Sequence, residues 1–284
     1  MRVAEPVETA LVFACGDARL LGVLHHPTRA TKRGMLLVVG GPQYRVGSHR
    51  QFVLLAREVA ASGFAVMRFD YRGMGDSGGE PRAFEQIDDD IRSAVDALIE
   101  QLPAVEEVVL WGLCDAASAI LLYAHRDARI AGVVLLNPWV RTEQGLAKSY
   151  LRHYYLQRLT DGEFWRKLLQ GRFAAMKSVR SLACNMQTAW AGEQKNDRSS
   201  TARFPQRMLN GLERFKGYVL VILSGQDLTA GEFKDLVSAS RSWRRALTRE
   251  RVERRDLIEA NHTFSRRVWR DQVAAWTTEW MQSW

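Results

Sequence analysis

The strongest chemical signal in the chain is a single short stretch. The apolar run Val108-Val109-Leu110-Trp111 leads into Gly112-Leu113-Cys114-Asp115-Ala116, and small and apolar residues follow. Where a strand turns sharply into a helix, the central residue of the turn is held at a strained φ/ψ, and the residues two before and two after it must be small. Gly112 and Ala116 meet that demand and leave Cys114 as the exposed centre of the turn. A thiol at a helix N-terminus and near a histidine gains thiolate character and becomes a nucleophile, whereas the adjacent Asp115 carboxylate works against it. An isolated cysteine is more often just a small buried residue, so Cys114 needs partners to count.

Two partners follow at suitable places. Asp227 comes directly after the apolar run YVLVILSG, just past the C-terminal end of a strand, where parallel sheets gather their site residues. His262 follows the run RVERRDLIE, in a loop ahead of the last helical segment. The roles then follow from chemistry: Cys114 attacks an acyl carbonyl, His262 takes or shares the thiol proton, and Asp227 orients the imidazole. His25, His26, His49, His125 and His153 lie elsewhere in the element order; His49 and His153 are kept as possible substrate contacts. Acyl transfer also needs donors for the developing oxyanion. The backbone N–H of Asp115 is one, and the second is expected from the loop Gly40-Gly41-Pro42-Gln43, where Pro42 has no N–H, leaving Gln43, the favoured choice, or Gly41.

These residues must be held by a framework, and the chain's periodicity describes one. Two alternating runs, ETALVFAC and RLLGVLHH, flank Gly16-Asp17 and read as a β-hairpin. Apolar strand-like runs (MLLVVGG, FAVMRFD, VEEVVLWG, AGVVLLN) then alternate with helical spacing over Arg50 to Ser62, Phe84 to Gln101 and Ala116 to Ala124. That alternation predicts an α/β architecture, a mostly parallel sheet with helices on both faces. The rhythm breaks over 141–216, which carries aromatic helical stretches and a polar stretch, GEQKNDRSSTAR, expected to be a loop. It resumes with YVLVILSG, a basic helix near Ser240 to Leu247, RVERRDLIE and a closing helix from about Ser265. The predicted organisation is a core of residues 1–140 and 217–284 with a helical cap inserted at 141–216. Within the cap, Tyr150, Tyr154, Trp165 and Phe173 are expected to cover the pocket, with Arg152, Arg158, Arg166 and Lys167 facing outward.

Charge is unevenly distributed. The chain's formal net charge is +8, but residues 141–216 alone carry +9, so the excess lives in the cap and suits an anionic partner, for example a carrier of the acyl group. No nucleic-acid motif is present, and the cap aromatics fall at helical spacing. Three cysteines at unrelated spacings argue against a disulfide framework or a zinc cluster and suit a reducing cytoplasm. No run is long and apolar enough for a transmembrane segment, and no signal peptide is expected. The chemistry requires no metal and no organic cofactor. The oligomeric state is left open.

The string GDSGG at Gly75 to Gly79 surrounds the nucleophile of chymotrypsin-like proteases, but here it follows a parallel-sheet strand in FDYRGMGDSGG. Asp70, Arg72 and Asp76 are therefore expected to fix loop geometry. The order nucleophile, acid, histidine resembles that of α/β-hydrolases, and GGPQYRVGSHRQF, RFDYRGMGDSGG, WGLCDAAS, LSGQDLTAGEF and NHTFS together resemble the exosortase A system-associated hydrolases, type 1. The resemblance covers nearly the whole chain. It implies an α/β-hydrolase fold and a cytoplasmic bacterial enzyme associated with exopolysaccharide synthesis, without fixing a substrate. A small-molecule ester or thioester hydrolase is the leading expectation. An acyltransferase moving an acyl group from a thioester carrier to a sugar hydroxyl, or a non-catalytic binding protein of the same fold, are the alternatives.

Overall fold

The computed structural model describes residues 7–29, 31–41, 43–140 and 204–284, with the backbone alone for 198–203. Its strands are β1 (Glu8–Cys15), β2 (Ala18–His25), β3 (Arg33–Val38), β4 (Ala65–Phe69), β5 (Glu107–Leu113), β6 (Ile130–Leu136), β7 (Tyr218–Gln226) and β8 (Val252–Asn261). Among the described residues they form one eight-stranded sheet in the order β1-β2-β4-β3-β5-β6-β7-β8. β1 pairs antiparallel with β2, and β2 antiparallel with β4. From β4 to β8 every pairing is parallel. The expected hairpin is there, with Cys15 opposite Ala18 across its turn.

Burial explains why the strands read as they do. The central strands are covered on both faces, so β4 is buried throughout and β3 from Gly34 onward, giving near-continuous apolar runs. β1 lies at the sheet edge and alternates exposed and part-buried residues. Helix α1 (Gln51–Ala61) places Phe52, Leu55, Ala56 and Val59 in the core cluster that contains Leu37, Val109 and Trp111. The last helix enters the same cluster through Trp269, Val273 and Trp280. Because side chains alternate along a strand, Leu36 and Leu110 point to the opposite face. Helix α2 (Asp88–Gln101) packs against β3, and helix α3 (Asp115–Tyr123) packs against β5 and β6. The helix expected from Phe84 starts instead as a 3-10 turn at Phe84–Gln86, and α2 begins at Asp88 with Asp88, Asp89 and Asp90 in its first turn, where acidic residues suit a helix N-terminus.

The chain divides into two compact units, Met1–Val140 with Arg207–Trp284, and Arg141–Gln206. Helix α4 (Arg198–Arg214) runs across the second boundary, so the division falls ten residues before the expected 216. The start of α4 also corrects the loop expected at GEQKNDRSSTAR, whose last residues, from Arg198, are helical. Phe204, Met208 and Leu212 recur every fourth residue and are buried, so they form one helix stripe that a polar local composition did not reveal. Tyr150, Tyr154, Trp165 and Phe173 lie outside the described residues, as do Arg152, His153, Arg158, Arg166, Lys167 and Cys184. Three further helices, α5 (Leu228–Ala239), α6 (Arg241–Leu247) and α7 (Arg267–Gln282), complete the core.

Candidate active site

β5 ends at Leu113, and Cys114 turns the chain into α3 with φ 63° and ψ −123°. A non-glycine residue at that φ is strained by about 1–3 kcal/mol and persists only where its surroundings over-determine it. They do so here. The Cys114 N–H donates to the Leu136 carbonyl at 2.9 Å, and the Cys114 carbonyl accepts from Trp139 N–H at 3.2 Å and Ser118 N–H at 3.3 Å. Gly112 is indispensable to the turn: a Cβ there would stand 2.9 Å from the Ala116 carbonyl carbon and 3.0 Å from Ala117 N. Cys114 is half-buried and free of any disulfide.

Asp227 and His262 are delivered by neighbouring strands. After a register shift between Ser224 and Gln226, Gln226 pairs with Asn261, so the next residue on each strand is one of the two. His262 Nδ1 lies 2.9 Å from Asp227 Oδ2. The carboxylate accepts, so the proton resides on Nδ1, and the ring also makes a hydrogen bond with Cys114. Asp227 caps α5 as well, accepting from Thr229 N–H at 3.2 Å and Ala230 N–H at 3.0 Å. Burial raises the Asp227 carboxyl, but its hydrogen bond and attraction to His262, with those two N–H groups, hold it below the ordinary carboxylate range. Burial works against a charge on His262, yet the hydrogen bonds to Asp227 and Cys114 and the charges of both push its pKa up to about 10. The arrangement is that of an imidazole ring held between the Asp227 carboxylate and the Cys114 sulfur.

Asn137, which sequence reasoning missed, ties this assembly together. It is fully buried with φ 43°, its side-chain amide donates to the His262 carbonyl at 3.1 Å, and its Oδ1 accepts from Ser224 N–H at 2.9 Å. An Asn just past a strand end and followed by Pro138 was the available signal, since Asn tolerates positive φ better than most residues. Arg45 plays a similar part for the loop after β3. Its backbone N–H donates to Asp70 Oδ1 at 2.6 Å, and its guanidinium pairs with Asp70 and, at 2.6 Å, with Asp76. Arg72 pairs with buried Asp90 at 2.7 Å. The GDSGG segment is thus a braced loop, with Ser77 Oγ donating to the Asp70 carbonyl at 2.6 Å and accepting from Leu21 N–H at 2.8 Å.

The oxyanion candidates meet beside Cys114. Gly41 N–H donates to Asp115 Oδ2 at 2.8 Å, so it is engaged by the carboxylate that follows the elbow residue. Gln43 lines the cleft. The cleft measures about 420 Å³ and is walled, among the described residues, by Phe52, Phe84, Leu113 and Trp139 around Cys114 and His262. Phe84 and Trp139 meet edge-on with centroids 5.4 Å apart. His49 is exposed and is not among the cleft-lining residues, His25 is buried in β2, and no group of three or more metal-ligating side chains occurs among the described residues. No helix among them is long and apolar enough to cross a membrane.

A parallel sheet that presents a strained elbow residue, an acid after β7 and a histidine after β8 defines the α/β-hydrolase class. Within it, the chain belongs to the serine aminopeptidase (S33) family, whose sequence profile matches residues 32–214. The elbow departs from the family's name in carrying cysteine. Quorum-quenching protein AidA of Acinetobacter baumannii is 30% identical over 134 residues, a match spanning 45% of this chain and 42% of that protein. Among solved structures, an esterase of Pyrococcus furiosus superposes with a TM-score of 0.66 at 15% identity, covering 98% of this chain and 93% of its own. A thermostable carboxyl esterase of Bacillus coagulans gives 0.63 at 15% identity, covering 97% and 98%.

Proposed function

We propose that the protein hydrolyses a small-molecule ester or thioester through an acyl-Cys114 intermediate. The observation that carries this reading is the placement of His262, 2.9 Å from Asp227 and hydrogen-bonded to Cys114, with its pKa pushed up to about 10. Cys114 attacks the carbonyl as a thiolate, His262 protonates the leaving group, and the neutral ring then draws a proton from water as it attacks the acyl-cysteine. Asp227 keeps the ring in register and balances its charge. The apolar walls of Phe52, Phe84 and Trp139 suit an acyl chain.

We read the reaction as part of bacterial exopolysaccharide metabolism in the cytoplasm, a setting that the resemblance to exosortase A system-associated hydrolases supports. In that setting the alternative second step is transfer of the acyl group to a sugar hydroxyl. The deciding experiment is acid-quenched intact-mass analysis with a panel of activated esters and acyl thioesters, on wild type, Cys114→Ala and Cys114→Ser. The expected result is an acyl mass increment on wild type that is absent from Cys114→Ala. A wild type that neither acquires the increment nor releases product would leave a non-catalytic binding protein. Product release that requires an oligosaccharide acceptor would identify the transferase.

A further inference from the structure

Arg68 is a cation at a position where a doubly covered sheet calls for an apolar side chain. It lies in β4 with Val23 of β2 and Leu37 of β3 on either side, and it is only 4% exposed. Burying a guanidinium is costly unless its donors are matched. Here Nε donates to His25 Nε2 at 2.8 Å and one terminal nitrogen donates to the Arg45 carbonyl at 2.8 Å, while the other stands 3.9 Å from Glu8 Oε2. His25 is fully buried, and because Nε2 accepts, its proton sits on Nδ1, 3.7 Å from Glu8 Oε1. Burial, together with the Arg68 charge, brings the His25 pKa down to about 4, so the ring is a neutral acceptor that fixes the direction of the guanidinium.

The other end of this contact is the loop after β3. Asp70, two residues beyond Arg68, accepts from the Arg45 N–H at 2.6 Å. The peptide groups on both sides of the Arg45 Cα are therefore held from one strand end, the N–H by Asp70 and the carbonyl by Arg68. The loop has a second anchor, since Gly41 N–H donates to Asp115 Oδ2 at 2.8 Å at the start of α3. Gln43 lies midway between the anchors and lines the cleft with Cys114. With Gly41 N–H engaged and Pro42 lacking one, the Gln43 N–H is the donor this loop can offer to an oxyanion. Its place relative to the sulfur depends on where the two anchors put the loop. An apolar residue at 68 would fill the sheet equally well but would leave the Arg45 carbonyl unheld.

We propose that Arg68 is a positioning residue for the oxyanion site: by holding the Arg45 carbonyl it sets the loop so that the Gln43 N–H meets the substrate carbonyl oxygen at Cys114. The inference rests on the acyl-cysteine reading. Arg68 touches no reacting atom, and its contacts are with His25, Glu8 and Arg45, not with the Cys114, His262 and Asp227 set. Its loss should therefore weaken stabilisation of the charge that develops on the carbonyl oxygen and leave the nucleophile intact.

The test measures kcat and KM for p-nitrophenyl butyrate in wild type, Arg68→Met and Arg68→Lys, alongside iodoacetamide alkylation of Cys114, which needs no oxyanion donor. In Arg68→Met, kcat should fall about 10²-fold, the scale of a misplaced catalytic contact, with KM and the alkylation rate little changed. Arg68→Lys keeps the charge but replaces with one nitrogen the two that reach His25 and the Arg45 carbonyl, so its kcat should lie between the other two. An Arg68→Met enzyme with wild-type kcat would overturn the inference. So would one in which turnover and alkylation fall together, since that pattern marks a general loss of structure at the site. Where the methionine variant does not fold, the lysine variant carries the comparison: a reduced kcat with alkylation retained supports the inference, and a wild-type kcat overturns it. A wild type that never becomes acylated would instead remove the acyl-cysteine reading, and the inference with it.

Discussion

The Asn137 side-chain amide donates to the His262 carbonyl at 3.1 Å while its oxygen accepts from Ser224 N–H at 2.9 Å, so one buried residue at the end of β6 positions both the histidine loop and the end of β7. Asn137→Ala should leave the Ser224 N–H without a partner and cost about 1–3 kcal/mol of stability. Because the His262 loop loses its anchor, kcat/KM should fall along with the melting temperature, and the iodoacetamide reactivity of Cys114 should fall too. Thermal melts and alkylation rates on the same preparation check this; unchanged alkylation would show that the anchor is purely structural.

Asp227→Asn keeps the size of the side chain and removes its charge. The amide can present its NH2 to Nδ1, which favours the wrong tautomer and leaves the ring unable to carry a proton toward the leaving group. A drop in kcat of about 10³–10⁴-fold is expected, with KM little changed. Steady-state kinetics with p-nitrophenyl butyrate checks it.

The raised pKa of His262, about 10 against an ordinary 6.5, has a signed consequence for stability. A group whose pKa is raised by folding contributes stability that is fully present below pH 6.5 and is lost as pH rises through about 10. The stability advantage of wild type over His262→Ala should therefore shrink between those limits, as read from urea midpoints. His262→Ala should also slow iodoacetamide alkylation of Cys114 at pH 7, because the ring that hydrogen-bonds the sulfur is gone.

Gly112→Ala tests the elbow through backbone contacts. The added Cβ would sit 2.9 Å from the Ala116 carbonyl carbon, which the start of α3 cannot move without displacing Cys114. Destabilisation of about 1–3 kcal/mol is expected, with loss of alkylation selectivity for Cys114. Peptide mapping after limited iodoacetamide treatment reads the second effect.

Arg45→Ala removes the cation facing the fully buried Asp70 and releases the loop that carries Gln43 toward the cleft. Breaking such a buried pair costs about 3 kcal/mol. A lower denaturation midpoint together with a raised KM is expected.

The positions of Cys114, Asp227 and His262 at strand ends were legible because each stands next to a pattern that sequence alone displays: an apolar strand, a punctuating glycine, a following helix. Gly112 and Ala116 identify a tight turn whatever the rest of the chain does. Asn137 and Arg45 were not legible as site residues because their partners, Ser224, His262 and Asp70, are distant in sequence and meet them only once the sheet is ordered. The contact of the Asp115 carboxyl with Gly41 was not legible, because room for it depends on residue 40 being glycine, a fact of packing between the loop after β3 and α3. The helical start of α4 was hidden by polar residues that are helical because Phe204, Met208 and Leu212, further along, are buried. The aromatic cap positions fall outside the described residues.

The pairing of Gln226 with Asn261 means that Asp227 and His262 continue the same ladder, each one step beyond a paired residue. Their separation is therefore governed by the stiffness of β-structure and not by the wandering of a surface connection. Heat should not wear such an enzyme down gradually: the carboxylate and the ring part company only when the end of the sheet unzips, so turnover and far-UV ellipticity should vanish at one temperature.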